Sequence, residues 1–435
     1  MQLIKFITSI IFLYLLPYIY VPAQTEKEIH NTEPWTNKTY KKGIKTVLIY
    51  KAGWELSFPI IDLNNDDEKI ALSFDELGSD INNYSWQIIY CNMDWTQSEL
   101  DPIDYISGFS DGNINDYQTS RNTTVDYINY QVSFPNDDLS FRKSGNYIIK
   151  VFEQNEPEQI VLSKRFYVID KKAQINGEIF QQSVASIYKN QRVNFTINFD
   201  DEIIDPYANL VSLISKNLAS SISTKDISPS MLSKNQVSYK NINTLAFSGG
   251  SEFRHFDIKS IKFLSDMLER IDYTDNIYKV YLRPGIILKD EPYHFKNDIN
   301  GKRLIKLENN DNSNTEADYC KVNFSLSAPI NLQNGNYYVF GELSNWNTSD
   351  DFKMHYNASC QCYTLSLFLK QGYYNYQYIF KSEGLNIDET AQWFSVEGNY
   401  HQTENDYYIL TYYKNPSEYS EELIGFAKIN SNTNK

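Results

Sequence analysis

The sequence is poor in the residues and motifs that most often carry out chemistry. It has five histidines and four cysteines among 435 residues, and no two histidines lie close together. There is no Gly-x-Ser-x-Gly nucleophile elbow, and the adjacent pair Gly249-Gly250 lacks the lysine of a phosphate-binding loop. The acidic run 64–68 lacks the central glycine of a calcium loop. We therefore expect no enzyme, no cofactor, no metal site and no small-molecule substrate.

Positive charge is also scarce. The formal net charge is −15 at pH 7, whereas proteins that bind nucleic acids present a basic face to the phosphates. Acidic chains are likewise not drawn by charge alone to an anionic membrane leaflet. After residue 23 no stretch is long and apolar enough to span a bilayer. We expect no nucleic-acid partner and no direct insertion into a membrane.

The first 23 residues have the pattern of a secretory signal peptide. Lys5 supplies a positive n-region, residues 6–20 are mainly apolar, and Val21-Pro22-Ala23 fits a cleavage site. The alternative is a membrane anchor, but the apolar run is short and is broken by Pro17. Gln24 follows the site instead of cysteine, so no lipoprotein box is present. The pattern predicts cleavage and export beyond the inner membrane.

Aromatic residues are abundant, with 35 tyrosines, and short runs alternate between apolar and polar positions. Tyr84, Trp86, Ile88 and Tyr90, for example, share one face of a strand. Short alternating strands between turn residues are typical of β-sandwiches. We predict an all-β fold of tandem immunoglobulin-like or early-set sandwiches. The predicted segments are a polar arm at 24–45, a first sandwich at 46–170, a second β-rich domain at 171–307 and a C-terminal domain at 317–428.

The cysteines allow more than one arrangement. If residues 360–362 are extended, Cys360 and Cys362 point to the same face of a strand, and a bridge between them is strained. A bridge from one of them to Cys320 is geometrically more plausible. The other interpretation is that these cysteines are small buried apolar residues.

A collinear series of motifs gives the most specific signal. It begins with Tyr50-Lys51-Ala52-Gly53-Trp54-Glu55-Leu56-Ser57-Phe58-Pro59-Ile60-Ile61, then 72–77 and 89–95. The segments 134–137, 144–147, 253–257, 292–293, 298–301, 341–346, 370–378 and 398–405 continue it. The series resembles the plug proteins of the type IX secretion system. The resemblance implies a periplasmic, non-enzymatic subunit that docks at the opening of the outer-membrane translocon barrel and closes it when no cargo is exported.

Aromatic residues in the loop after segment 89–95 are candidate contacts for that barrel. Tyr105, Phe109 and Tyr117 lie between polar and glycine residues, and aromatic side chains are enriched at interface hot spots. The alternative is that these rings fill a small core of the loop itself.

A second function competes with the first. Residues 338–346 resemble the strand and turn of glycogen- and starch-binding early-set domains. In that case the chain is a secreted glycan-binding protein, and Trp346 and Trp393 are the candidates for stacking on sugar rings. The alternative for Trp346 is packing beneath a turn of the sandwich.

Overall fold

The computed structural model describes residues 35–181, 189–200, 203–223, 227–309, 312–328, 335–382 and 394–432. The signal peptide and the first part of the arm lie outside these residues. The described chain is mostly β-strand, in several mainly antiparallel sheets that form stacked sandwiches. This confirms the predicted all-β, multi-domain sandwich fold.

Strands β2–β12 form one sandwich, here called the N-terminal sandwich (residues 44–169), to which β1 adds an edge strand and on which β6 and β10 form a small separate sheet. One sheet has the order β1-β12-β11-β5-β7 with β3 beside β12, and the other has the order β2-β4-β9-β8. The elements are β1 (Lys38–Thr39), β2 (Ile44–Lys51), β3 (Ile60–Asp62), β4 (Ile70–Leu77), β5 (Tyr84–Cys91), α1 (Pro102–Tyr105), β6 (Ile106–Gly108), β7 (Asp111–Asn113), β8 (Asp116–Thr119), β9 (Tyr127–Phe134), β10 (Leu139–Phe141), β11 (Gly145–Glu153) and β12 (Glu156–Ile169).

Alternation along the strands explains the core of this sandwich. Tyr84, Trp86, Ile88 and Tyr90 are all buried in it, as their shared face predicts. Facing strands contribute further aromatic rings, and Phe74 lies 5.1 Å from Tyr130 between ring centroids.

The described end of the polar arm is fixed to this sandwich. Lys38 and Thr39 pair with β12, and the side chain of Trp35 is buried beside Trp95. Arg165 donates from its guanidinium to the carbonyl of Trp35. Residues 35–39 therefore belong to the folded body of the protein.

The rest of the chain forms two more sandwiches. The strands are β13 (Ala173–Gln181), β14 (Asn190–Phe199), β15 (Leu210–Lys216), β16 (Ser220–Ser223), β17 (Met231–Ser233), β18 (Gln236–Tyr239), β19 (Ala246–Ser248), β20 (Arg254–Asp257), β21 (Leu268–Thr274), β22 (Ile277–Leu282), β23 (Gly285–Ile286), β24 (Arg303–Leu304), β25 (Tyr319–Ser327), β26 (Gly335–Phe340), β27 (His355–Asn357), β28 (Cys362–Lys370), β29 (Tyr373–Ser382), β30 (Asp406–Tyr413) and β31 (Glu422–Asn430). Two short helices are α2 (Pro206–Asn209) and α3 (Ser313–Glu316).

These two sandwiches do not follow one another along the chain. Strand β15 pairs with β30, nearly 200 residues later, and β30 pairs with β31. One core joins residues 173–247 with 407–429, while a separate core joins 256–396. We propose these as the domains and call them the split sandwich (β13–β19 with β30–β31) and the inserted sandwich (β20–β29).

The sequence prediction placed a boundary at 307–317, so it separated strands that share a sheet. Alternation identifies a strand but not its partner, because every strand has the same period of two. The sequence pattern therefore does not show that β30 and β31 return to the sheet that contains β15.

The cysteines adopt the arrangement that we judged strained. Cys360 and Cys362 form a disulfide, whereas Cys91 and Cys320 are free and buried. The expectation rested on an extended segment, but Gln361 has φ +51° and lies in the turn before β28. The turn brings the two Cα atoms to 5.2 Å.

Across the described part of the chain, no helix has both the length and the apolar character needed to cross a bilayer.

Candidate docking surface and domain junctions

The loop 101–117 is a rigid platform on the N-terminal sandwich. Strand β6 pairs with β10, and the amide of Phe109 donates to the carbonyl of Asp138 at 3.0 Å. Gly108 has φ +99°, and a Cβ at this position lies only 2.0 Å from the carbonyl oxygen of Asp138. Only glycine fits this close approach of two chain segments. The backbone at Phe109 is therefore held in place.

Two apolar side chains project from this platform into solvent. Ile103 is 72% exposed and Phe109 is 70% exposed. Because the backbone is already fixed, binding a partner through these side chains costs little main-chain conformational entropy. We call Ile103 and Phe109 the apolar pair.

The other two aromatic candidates have different surroundings. Tyr105 is 5% exposed, and its ring packs 5.4 Å from Tyr90 in the core. It fills the main core of the N-terminal sandwich, and not a small core of the loop itself, so it cannot contact a partner in this conformation. Tyr117 is 43% exposed and leans on Tyr130 at 5.9 Å.

The charge of the platform has one sign. Segment 101–117 contains four exposed aspartates and neither lysine nor arginine. These are Asp101, Asp104, Asp111 and Asp116. The exposed Arg142 adds one positive charge beside this loop, since its guanidinium donates to the carbonyl of Ile103 at 3.3 Å. The four aspartates still leave a net negative charge around the apolar pair, which suits a partner with an apolar pocket and a basic rim.

The loop of the first motif, residues 50–61, connects the N-terminal sandwich to the other two, and we call residues 52–59 the strap. The strap leaves β2 and reaches both other sandwiches. Phe58 stacks on Tyr408 and Phe426 of the split sandwich, with ring centroids at 5.0 and 5.2 Å. The carbonyl of Leu56 accepts a hydrogen bond from Lys302 Nζ of the inserted sandwich at 2.6 Å.

A buried ion pair joins the N-terminal and inserted sandwiches. Lys370 Nζ lies 2.7 Å from Asp75 Oδ2, and the side chains are 1% and 0% exposed. The hydroxyl of Tyr319 and the amide of Asn129 also donate to Asp75, at 2.6 and 2.7 Å. Burial lowers the pKa of Lys370, which Asp75 opposes. Sequence reasoning missed this pair, because nothing in the sequence distinguishes it from surface charge.

Several of the family motifs converge where the split and inserted sandwiches meet. Asp298 accepts hydrogen bonds from the amides of Phe253 and Asn300, both at 2.6 Å. Glu252 accepts from the hydroxyl of Tyr293 and from the amide of Glu404. Burial, with the nearby charges of Glu252 and Glu404, raises the pKa of Asp298 to about 7. These motifs lie where the chain passes from the split sandwich to the inserted sandwich and where it returns, and their hydrogen bonds join the two connections.

Trp346 belongs to the same junction. Its indole packs edge-on against Phe253 and Phe340, with centroids at 6.1 and 5.7 Å. It also covers Gly301, where a Cβ lies 2.4 Å from the ring. Its packing is that of a structural residue under a turn and does not favour a sugar platform. Trp393 lies outside the described residues, and glycan binding stays a prediction.

The described residues contain no group of three or more histidines, cysteines or carboxylates arranged to hold a metal ion. A cleft of about 520 Å³ lies on the split sandwich, with Met93 of the N-terminal sandwich at its edge. Its lining includes Met93, Tyr207 and Tyr412.

Two comparisons with known proteins give matches. The family model "Type 9 secretion system plug protein 1st domain" matches residues 44–170, the N-terminal sandwich. The crystal structure of a hypothetical protein from Parabacteroides merdae ATCC 43184, at 2.30 Å resolution, is 33% identical. The match covers 92% of this chain and 100% of that chain, with a TM-score of 0.86. No curated protein matches. The chain belongs to the type IX secretion system plug protein family.

Proposed function

We propose that the chain docks at the periplasmic opening of the outer-membrane translocon barrel of type IX secretion and closes it while no cargo is exported. Membership of the family associates the chain with this machinery in a non-enzymatic role. The observation that carries the finer proposal is the apolar pair, which stands exposed on a fixed backbone within the matched sandwich.

A protein that blocks a pore must resist deformation. The strap at Phe58 and the buried pair Asp75–Lys370 join three sandwiches into one body. Interior packing of this kind transmits load instead of yielding. A wide barrel leaks solutes when idle, and a rigid body at its mouth is a steric block.

The block must also be released. Reversible interfaces are of moderate size, with an apolar centre and a polar rim. The apolar pair and its four neighbouring aspartates have this arrangement.

Binding of purified variants to the detergent-solubilised barrel tests the docking face. Phe109→Ser should weaken binding at least about tenfold, because truncating a hot-spot aromatic costs roughly 2 kcal/mol. Phe263→Ser is the matched control, since Phe263 is 74% exposed but lies on the inserted sandwich. Equal affinities of Phe109→Ser and wild type would reject this docking face.

Salt dependence gives a second readout. If a basic rim faces the four aspartates, raising the ionic strength should slow association of the wild type. Replacing Asp104 and Asp111 by asparagine should flatten that dependence without unfolding the chain, since both side chains are exposed. An unchanged salt dependence in this variant would contradict the electrostatic part of the proposal.

A further inference from the structure

The Cys360–Cys362 disulfide lies where a structural cross-link is least useful. It connects residues two apart in the sequence, at the tip of the hairpin between β27 and β28. A disulfide stabilises a fold mainly by limiting the unfolded chain, and this effect shrinks as the closed loop shortens. A loop that contains only Gln361 between the two cysteines is near the lower limit of this stabilisation.

The hairpin is held without the bridge. Strand β27 pairs with β28 in a regular register from His355–Thr364 to Asn357–Cys362. Tyr363 packs against Tyr337 and Tyr356, with ring centroids at 4.7 and 5.2 Å. These contacts fix the two strands whether or not the sulfurs are joined.

The two sulfurs differ in access. Cys360 is exposed in the turn, whereas Cys362 is 8% exposed at the start of β28. An incoming thiolate can reach Cys360 Sγ from solvent, and Cys362 is then the leaving group. The free thiols Cys91 and Cys320 do not compete, because both are buried. Burial also raises the pKa of the Cys91 thiol to about 12, which removes its thiolate at neutral pH.

We propose that Cys360–Cys362 is a thiol–disulfide exchange site whose substrate is a protein thiol. The attacking thiolate forms a bond to Cys360 Sγ, the Cys360–Cys362 bond breaks, and Cys362 departs as a thiolate that takes a proton from water. The product is a mixed disulfide on Cys360. Return attack by Cys362 restores the bridge and releases the same thiol, so the site captures a protein thiol reversibly, with no net oxidation or reduction.

Reduction of the folded, full-length protein tests this directly. The protein is treated with dithiothreitol, labelled with maleimide-polyethylene glycol and examined by gel shift. We expect fast labelling of the exposed Cys360 thiol and slower labelling of Cys362, while the far-ultraviolet circular dichroism stays that of the untreated protein. Labelling that appears only together with unfolding in denaturant would overturn the proposal, because the bridge would then be structural.

Two single variants test the asymmetry. Cys362→Ser leaves the exposed Cys360 thiol, which should form a mixed disulfide with oxidised glutathione. Cys360→Ser leaves the buried thiol of Cys362, which should react at least about tenfold more slowly. The double serine variant controls for labelling elsewhere and for folding. Equal reaction rates of the two single variants would contradict the assignment of Cys360 as the attacked sulfur.

Discussion

The buried pair Asp75–Lys370 gives the most decisive test of how the sandwiches are joined. Lys370→Met removes a cation that contacts Asp75 at 2.7 Å and the carbonyl of Asn314 at 2.8 Å, and that lies 4.2 Å from the ring centroid of Tyr127. Removing one partner of a buried pair costs roughly 3–5 kcal/mol. Asp75 keeps the Tyr319 hydroxyl as a donor, so we expect the lower end, about 3 kcal/mol.

The reciprocal substitution, at Asp75, should destabilise the protein more. Asp75→Leu leaves the Lys370 ammonium without its counter-charge and removes one hydrogen-bond acceptor each from the Tyr319 hydroxyl and the Asn129 amide. Tyr319 keeps Thr46 Oγ1 as a partner, and Asn129 keeps Ser73 Oγ. We expect a loss of about 4 kcal/mol. The double variant has no buried charge, and its remaining loss of about 2 kcal/mol comes from the two hydrogen bonds to Asp75 that Tyr319 and Asn129 no longer make.

Urea unfolding followed by circular dichroism measures these free energies. The expected coupling between the two sites is about 5 kcal/mol, from losses of about 3 and 4 in the single variants and about 2 in the double variant. Lys279→Met is the control, because its pair with Asp275 is exposed and should contribute nothing measurable. Single losses below about 1 kcal/mol that simply add would refute the reasoning, since solvated surface pairs behave in that way.

Three further predictions concern the junctions. Phe58→Ala should lower the free energy of unfolding by roughly 2–3 kcal/mol, because a half-buried ring loses its stack with Tyr408. A free energy of unfolding within about 0.5 kcal/mol of wild type argues against a role of this loop in joining the sandwiches. Gly301→Ala should cost about 2 kcal/mol or more, since φ is +79° and the new Cβ meets the Trp346 ring; an unchanged Tm contradicts that packing. Asp298 has a pKa raised to about 7 in the folded state and about 4 when unfolded. Its stabilising contribution is therefore complete below pH 4 and disappears as the pH rises through 7. The Tm of wild type minus that of Asp298→Asn should fall between pH 4 and 7, and a difference that is flat or rises with pH opposes the assignment.

The sequence predicts strands better than it predicts their neighbours. The shared face of Tyr84, Trp86, Ile88 and Tyr90 is buried as expected, because alternation directly encodes which side of a strand meets the core. The dipeptide Asn300-Gly301, a typical turn pair, likewise forms a turn, with both residues at positive φ. Pairing of β15 with β30 could not be read in the same way, since it depends on contacts across distant parts of the chain.

The candidate site was only partly predictable, because the sequence pattern is local and side-chain packing is not. Local pattern indicated an aromatic loop at 103–117, and the structure leaves Phe109 exposed there. Whether a given ring turns inward depends on tertiary packing, so Tyr105 could not be separated from Phe109. The pair Asp75–Lys370 joins residues 295 positions apart in sequence, and no local signal marks either partner.

The most direct test of the docking proposal is affinity purification of the tagged chain from the solubilised envelope of its native host, followed by mass spectrometry. The account predicts recovery of a very large outer-membrane barrel with the wild type and a loss of that recovery with Phe109→Ser, while Phe263→Ser retains it. Recovery of no outer-membrane barrel, under conditions in which another known periplasmic complex survives, would contradict it.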